Sequence, residues 1–401
     1  MKVIQINGVS GTGSTGKICE SISALLDTMN IENKILYYHG YSTFKNAYRI
    51  GKEPYYKVQA LKSRFLGNYG FNSNRSTDET IRILKEEKPD IIHIHNIHGH
   101  EVNIERLFRY LGECHTPIVW TMHDCWAVTG YCPCFTMVKC ERWETGCREC
   151  PQRKNYSWFV DKSTDNQSRK REAVKGLNLT VVTPSNWLAG IMRESFFGKY
   201  PIKVINNGID QSIFRPIESD FRKRNKCMDK IILLGVAFGW GDHKGLDIFI
   251  RLDNALDDEY RMVLVGTDAE IRKTLPSDII AIDRTNNQQE LAEIYSAADI
   301  FLNPTREDNY PTVNMEAISC GTPVITFRTG GSPEMIDDTC GSVVEVDDYE
   351  GIQREVMKCG KKTLQMKENC MKKSRNFNAN DKFRQYVELY EKIDKVTGEK
   401  K

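Results

Sequence analysis

The 401-residue chain is predicted to fold as two doubly wound α/β domains. Three observations carry that prediction. Short apolar runs, each bounded by Gly, Pro, Asn or Asp, alternate with segments of helical spacing. The runs are apolar throughout rather than every second residue, as in parallel strands covered on both faces. The rhythm stops near residue 206 and restarts near residue 231, and two domains suit a prior of about 100–200 residues each.

In the first domain Val3–Asn7, Lys34–His39, Ile91–Asn96, Ile118–His123 and Thr180–Pro184 read as strands. Lys17–Met29, Thr77–Glu87, Asn103–Leu111 and Asn186–Phe196 read as the helices among them. In the second domain the strands are Ile231–Phe238, Met262–Gly266, Ile279–Asp283, Ile300–Asn303, Pro323–Phe327 and Ser342–Val346. Gly245–Leu256, Gln288–Ala298 and Pro311–Ser319 carry helical spacing. The expected domains are 1–205, with a Cys-rich insert at 125–150, and 206–378. The junction is marked by the turn signal Asn206-Asn207-Gly208. A C-terminal helix follows within 379–401, Asp381–Val396, and is expected to pack back toward the first domain. Two such domains facing each other would form a cleft lined by loops at the carboxyl ends of the strands.

Lys+Arg 56 against Asp+Glu 54 leaves +2, which argues against a dedicated nucleic-acid binder. No apolar run approaches the roughly 18 residues of a membrane span. The chain runs from Met1 straight into a strand pattern, so a cytoplasmic location is expected. Six of the 13 cysteines lie within 125–150. Cys147-x2-Cys150 has metal-knuckle spacing, and Cys132 or Cys134 with Cys140 would complete a tetrahedral thiolate set. Structural zinc on Cys132, Cys140, Cys147 and Cys150, free buried thiols, and disulfides are the three readings. A reducing compartment disfavours the last. Arg153–Lys175 is locally basic and carries Tyr156, Trp158 and Phe159. It reads either as a surface for anionic lipid or a lipid diphosphate, at the inner face of a membrane, or as an ordinary solvated helix and loop.

The loops after strands carry the chemistry. Asn7-Gly8-Val9-Ser10-Gly11-Thr12-Gly13-Ser14-Thr15-Gly16-Lys17 links the first strand to the first helix. Its glycines let a backbone approach a phosphate or sugar. A tight turn is the plainer reading. A Walker A loop fails at Ile18, where Ser or Thr would hold magnesium. His93-Ile94-His95-Asn96-Ile97-His98-Gly99-His100 admits packed histidines, a metal site without a carboxylate at ligand spacing, or substrate contact by the loop members. His123 ends a strand and precedes Asp124, a pair suited either to orienting a histidine toward a hydroxyl or to capping a turn. Arg306-Glu307-Asp308-Asn309-Tyr310-Pro311 opens a helix that carries Glu316, and Gly330-Gly331-Ser332-Pro333-Glu334 opens another. Helix N-termini suit anions, and carboxylates suit sugar and ribose hydroxyls.

Taken in order, these motifs resemble the retaining nucleotide-sugar glycosyltransferases of group 1, family four, which have the GT-B fold. With Thr183-Pro184-Ser185, Asn207-Gly208-Ile209-Asp210 and Lys244-Gly245 the resemblance covers nearly the whole chain. It is greatest to bacterial capsular and exopolysaccharide enzymes of the colanic-acid type. The resemblance implies transfer of a hexose-type sugar from a nucleoside diphosphate sugar, with retention and without a catalytic metal. The acceptor would be a saccharide or a polyprenyl-diphosphate-linked saccharide. By position it implies catalytic roles for His123, Asp308, Glu307 and Glu316. It implies donor binding by Gly13, Ser14, Gly16, Lys244, His243, Asn309, Tyr310, Pro311 and Gly331. Asn96, His98 and Asp124 fall on the acceptor side. Two departures stand out. Asp308 replaces the usual glutamate of the paired acidic motif, so either Glu307 or Asp308 faces the donor sugar. Phe238 replaces the arginine that usually partners Lys244. A nucleotide-sugar epimerase on the same architecture and a non-catalytic donor-binding homologue are the competing readings.

Overall fold

The computed structural model describes residues 1–398 and holds two sheets, both parallel throughout. The first contains β1 (Lys2–Val9), β2 (Glu32–His39), β3 (Ala47–Arg49), β4 (Ile91–Ile94), β5 (Ile118–Thr121), β6 (Leu179–Thr183) and β7 (Ile202–Val204), in the order β3-β2-β1-β4-β5-β6-β7. The second contains β8 (Ile231–Val236), β9 (Tyr260–Val265), β10 (Ile280–Ile282), β11 (Ile300–Asn303), β12 (Val324–Phe327) and β13 (Gly341–Val344), in the order β10-β9-β8-β11-β12-β13. The order in which strands are added reverses once in each sheet, between β1 and β4 and between β8 and β11. Those reversals are where ligands of open α/β sheets bind.

Burial explains the apolar runs. Val3, Ile4, Ile6, Ile35, Leu36, Ile92 and Ile94 are sealed from solvent, as are Ile232, Leu233, Leu234, Ile300 and Phe301. Helices cover both faces, and several of them start on side-chain caps. Asn103 accepts from Arg106 N at the start of the helix Ile104–Cys114, and Ser185 accepts from Leu188 N.

The chain divides into two compact units. One is Met1–Asn206 together with the residues from Lys382 onward; the other is Asn207–Asp381. The C-terminal helix, Ala379–Gly398, buries Phe383, Tyr386, Val387 and Tyr390. In the second unit Ile209 N donates to Phe377 O and Ala379 N donates to Ile209 O. A Cβ on Gly208 would lie 2.5 Å from Ala379 Cα, so the Asn207-Gly208 turn requires glycine for this close approach.

Several boundaries differ from those read in the sequence. β4 stops at Ile94, β5 at Thr121 and β8 at Val236. His95 N and Met122 N still donate to Ile6 O and Val182 O, but the side chains beyond make loop contacts. His95, His123 and Phe238 are therefore loop residues. β3 and β7 were not anticipated, and neither was the helix α2 (Glu53–Leu66), which follows α1 (Gly13–Thr28). Pro311 is the cap of the helix Thr312–Ser319 rather than its first turn, with ψ 117°.

Candidate active site

In the first unit the site residues gather at the β1/β4 reversal. Gly11 and Gly13 have φ of 68° and 63°, and α1 starts at Gly13 with no side-chain cap from Thr12. Gly13 and Ser14 are exposed, and the first-turn N–H groups there have no partner within the helix. Gly16 is buried. A Cβ there would lie 3.0 Å from Gly11 N, so Gly16 lets the helix press closely on its own loop. Asn96 stitches this loop to the next one: its N–H donates to Asn7 Oδ1, and its carbonyl accepts from Gly8 N at 2.8 Å.

Below the loops lies a run of histidines whose proton positions follow from their neighbours. Gln5 Nε2 donates to Cys19 O at 3.0 Å, which turns Gln5 Oε1 toward His95 Nε2, 3.1 Å away. His95 therefore carries its proton on Nε2. Its Nδ1 accepts from His123 Nε2 at 3.0 Å, leaving His123 Nδ1 as an acceptor. His93 follows the same pattern. Thr121 Oγ1 donates to Tyr386 Oη and accepts from His93 Nε2 at 2.8 Å, while Tyr390 Oη donates to His93 Nδ1 at 2.5 Å. Burial pushes all three down, His93 and His95 well below the usual imidazole range and His123 to about 4. They are neutral at pH 7.

His98 behaves in the opposite way. Burial would lower it, but Asp124 Oδ2, 2.8 Å from its Nε2, holds it raised. Asp124 is itself lowered: burial raises it, and His98 and the N–H of Trp126 outweigh that. The sequence reading missed Glu101. It is 7% exposed, its Oε1 lies 3.4 Å from His39 Nε2, and its Oε2 has no hydrogen-bond partner. Its only sequence signal is its place in the loop after β4.

The Cys-rich insert packs beside these residues. Cys132, Cys140, Cys147 and Cys150 line one pocket with Phe135 and Trp143, and Gly130 N donates to Cys147 Sγ at 3.2 Å. All 13 cysteines are free thiols. Burial raises Cys132 to about 12 and Cys150 to about 11. Among the described residues no group of three or more His, Cys, Asp or Glu is arranged to hold a metal ion, so the zinc reading, one of the three, has no assembled ligand set. The basic stretch 153–175 is not one surface. Lys170 is buried, donates to Trp126 O and Thr129 O, and is pushed down to about 7 by burial. Arg169 pairs with Glu105, and Lys175 with Glu172.

In the second unit the β8/β11 reversal brings the predicted donor residues together. Lys244 Nζ lies 2.9 Å from Asp308 Oδ2, and Asp308 Oδ1 accepts from Asn309 N. Two glycines make this approach feasible. A Cβ on Gly245, φ 70°, would lie 2.4 Å from Pro304 O; one on Gly330, φ 53°, would lie 1.8 Å from Asp308 O. Gly331 N donates to Asn309 O at 2.8 Å, joining the two loops, and Tyr310 is buried beside them. Glu316 is held by the buried Tyr295, whose hydroxyl donates to Oε2 at 3.1 Å. His243 O accepts from Arg306 N at 2.8 Å, and burial and Lys244 lower its imidazole. The Arg306 guanidinium is held by Asp247 and Asp347, so it does not stand in for the arginine absent at Phe238. Phe238 is 87% exposed, and the Arg284 guanidinium lies 5.3 Å from its ring centre. Arg284 carried no motif signal.

Residues 26–212 match the profile of Glycosyltransferase Family 4, and residues 229–361 match that of Glycosyl transferases group 1. The chain is 27% identical over 276 residues to the Escherichia coli (strain K12) protein WcaC, named as a colanic acid biosynthesis glycosyl transferase, with 66% of each chain covered. It is 25% identical to a D-inositol 3-phosphate glycosyltransferase of Acidothermus cellulolyticus over 38% of this chain and 39% of that one. It thus spans about two thirds or less of these relatives. Its fold is shared with sucrose-phosphate synthase from Thermosynechococcus elongatus (TM-score 0.72, 15% identity, 99% and 100% of the two chains covered). It is also shared with HepE of Anabaena in complex with UDP-glucose (TM-score 0.66, 14% identity, 98% and 100% covered). The chain thus carries glycosyltransferase domains of the Family 4 and group 1 types, in a GT-B fold.

Proposed function

We propose that this glycosyltransferase moves a hexose-type sugar from a nucleoside diphosphate sugar, with retained configuration, to a hydroxyl of a saccharide or lipid-linked saccharide. The product would enter a cell-surface polysaccharide assembled from the cytoplasmic side. The observation that carries this reading is the Lys244–Asp308 pair at the β8/β11 reversal, with Glu316 about one turn into the adjoining helix. Complexes of HepE and of an E. coli trehalose-6-phosphate protein with UDP-sugars support a nucleoside diphosphate donor.

In this reading Lys244 neutralises charge that gathers on the diphosphate as the C1–O bond breaks, and Gly331, whose N–H is held by Asn309 O, fixes the loop beside the donor. Glu316 takes the ribose hydroxyls. Asp308, with Glu307 beside it, positions the hydroxyls of the sugar as it gains oxocarbenium character. In the first unit Gly13 and Ser14 present N–H groups to phosphate or sugar. His123 lies near the transferred sugar. Asn96, His98, Asp124 and Glu101 form the acceptor side. The acceptor oxygen bonds to C1 on the face the diphosphate leaves, and its proton passes to the departing phosphate oxygen. Lys244 supplies the positive charge, so the reaction needs no catalytic metal.

The test is acceptor-dependent transfer from a panel of nucleoside diphosphate sugars in the presence of a chelator, with product anomers assigned by NMR. Unchanged transfer in Glu316→Ala or His123→Ala would refute the residue assignments. Donor isomerisation without an acceptor would identify an epimerase instead.

A further inference from the structure

The outer face of α2 is unlike that of a solvated helix. Val58, Leu61 and Phe65 recur along it, and each is about half exposed, with Leu66 beside them. The segment Trp158–Val160 lies against its C-terminal end and adds three more exposed apolar side chains, with Phe159 at 67%. The rings pack on one another: Phe65 lies 5.0 Å from Trp158 and 5.5 Å from Phe159. This knob is pinned rather than loose. Trp158 N donates to Arg64 O at 2.8 Å, Arg64 Nη1 donates to Asn155 O, and Arg153 Nη1 donates to Trp158 O. A contiguous exposed apolar patch of this kind marks an interaction surface.

The charge around the patch selects its partner. Between Pro54 and Leu66 the helix carries Lys57, Lys62 and Arg64 and no carboxylate. Arg153, Lys154 and Lys162 flank the aromatic segment. The one acid among them, Asp161, has its oxygens taken by the N–H groups of Cys150 and Ser163. Aromatic and aliphatic tips within a basic ring suit an anionic bilayer surface, where the tips enter the headgroup layer and the cations meet lipid phosphates.

We propose that α2 and Trp158–Val160 form a docking surface for an anionic phospholipid membrane. The inner side of the same helix faces the acceptor side: Ser63 Oγ lies 3.4 Å from His100 Nδ1, and Tyr69 packs on His100. A docked chain would hold that loop near the headgroups, where a lipid-linked acceptor is presented. The purpose, though not the surface, rests on the proposed function.

The test is cosedimentation of the full chain with phosphatidylcholine vesicles, with and without about 30% phosphatidylglycerol. Binding to the anionic vesicles at low salt, weakened by added salt, is expected. Trp158→Ser with Phe159→Ser should weaken it at least about tenfold. Lys62→Glu with Lys154→Glu should remove its salt-sensitive part. Circular dichroism and transfer to a soluble acceptor should be unchanged in both. A chain that stays in the supernatant with anionic vesicles overturns the proposal, as does binding that ignores both double variants. So does a dimer in light scattering that Phe159→Ser dissolves without vesicle binding, which would make the patch a contact between copies. Absence of sugar transfer would refute the enzymatic reading and leave the vesicle result standing.

Discussion

Acidification should destabilise the first unit through its buried histidines, and His123 sets the scale. Its value falls from about 6.5 in an unfolded chain to about 4 in the structure. Between those values the unfolded chain binds a proton at this position and the folded chain does not, so stability falls as pH falls through the window. From pH 7 to pH 5 the loss from this one group is about 2 kcal/mol. His93 and His95, also lowered, act in the same direction. His98 opposes them. Its value is raised, so its contribution is present below the unfolded value and fades as pH rises through the folded one. Five of the six tryptophans (Trp120, Trp126, Trp143, Trp158 and Trp187) belong to the first unit, so urea unfolding followed by their fluorescence reports it. His123→Asn should flatten the difference between pH 7 and pH 5 by about 2 kcal/mol, and His98→Gln should steepen it. Identical pH dependence in the wild type and His123→Asn would refute the buried, neutral assignment.

Gly330→Ala would place a methyl 1.8 Å from Asp308 O at a φ of 53°. It should cost about 1–3 kcal/mol of stability and weaken nucleoside diphosphate binding, both readable by thermal shift with and without ligand. Lys244→Met should leave folding intact and weaken diphosphate binding by at least about tenfold in calorimetry; unchanged affinity would remove Lys244 from the donor site. Titration of the denatured, unreduced chain should count all 13 cysteines as thiols. A lower count would indicate disulfides, and about one zinc per chain released by chelator would restore the four-thiolate reading.

The two sheets were legible because their strands are apolar on both faces, a signal that survives without any knowledge of contacts. β3 and β7 escaped because each has three residues, none of them fully buried. α2 escaped for the opposite reason: its outward face is apolar, so burial did not imprint an amphipathic period. The donor loops were readable as motifs, but the need for Gly245 and Gly330 lies in carbonyls of other loops. The position of the proton on His123 depends on Gln5, more than a hundred residues earlier, and on the carbonyl that fixes Gln5. Lys170 stands between Arg169 and Arg171 in a run that looks solvated, yet it alone of the three is buried.

The helix that ends the described chain has a consequence for biosynthesis. Tyr386 and Tyr390 complete the hydrogen bonds of Thr121 and His93, which were made nearly three hundred residues earlier. During synthesis the first unit leaves the ribosome long before these partners exist, at about 5–20 residues per second. Until the last helix emerges, a polar pair sits beneath an open apolar face. The first unit is therefore the last to be finished. A truncation before Phe383 should yield a protein that a protease or chaperone recognises as incomplete, even though every predicted site residue is present in it.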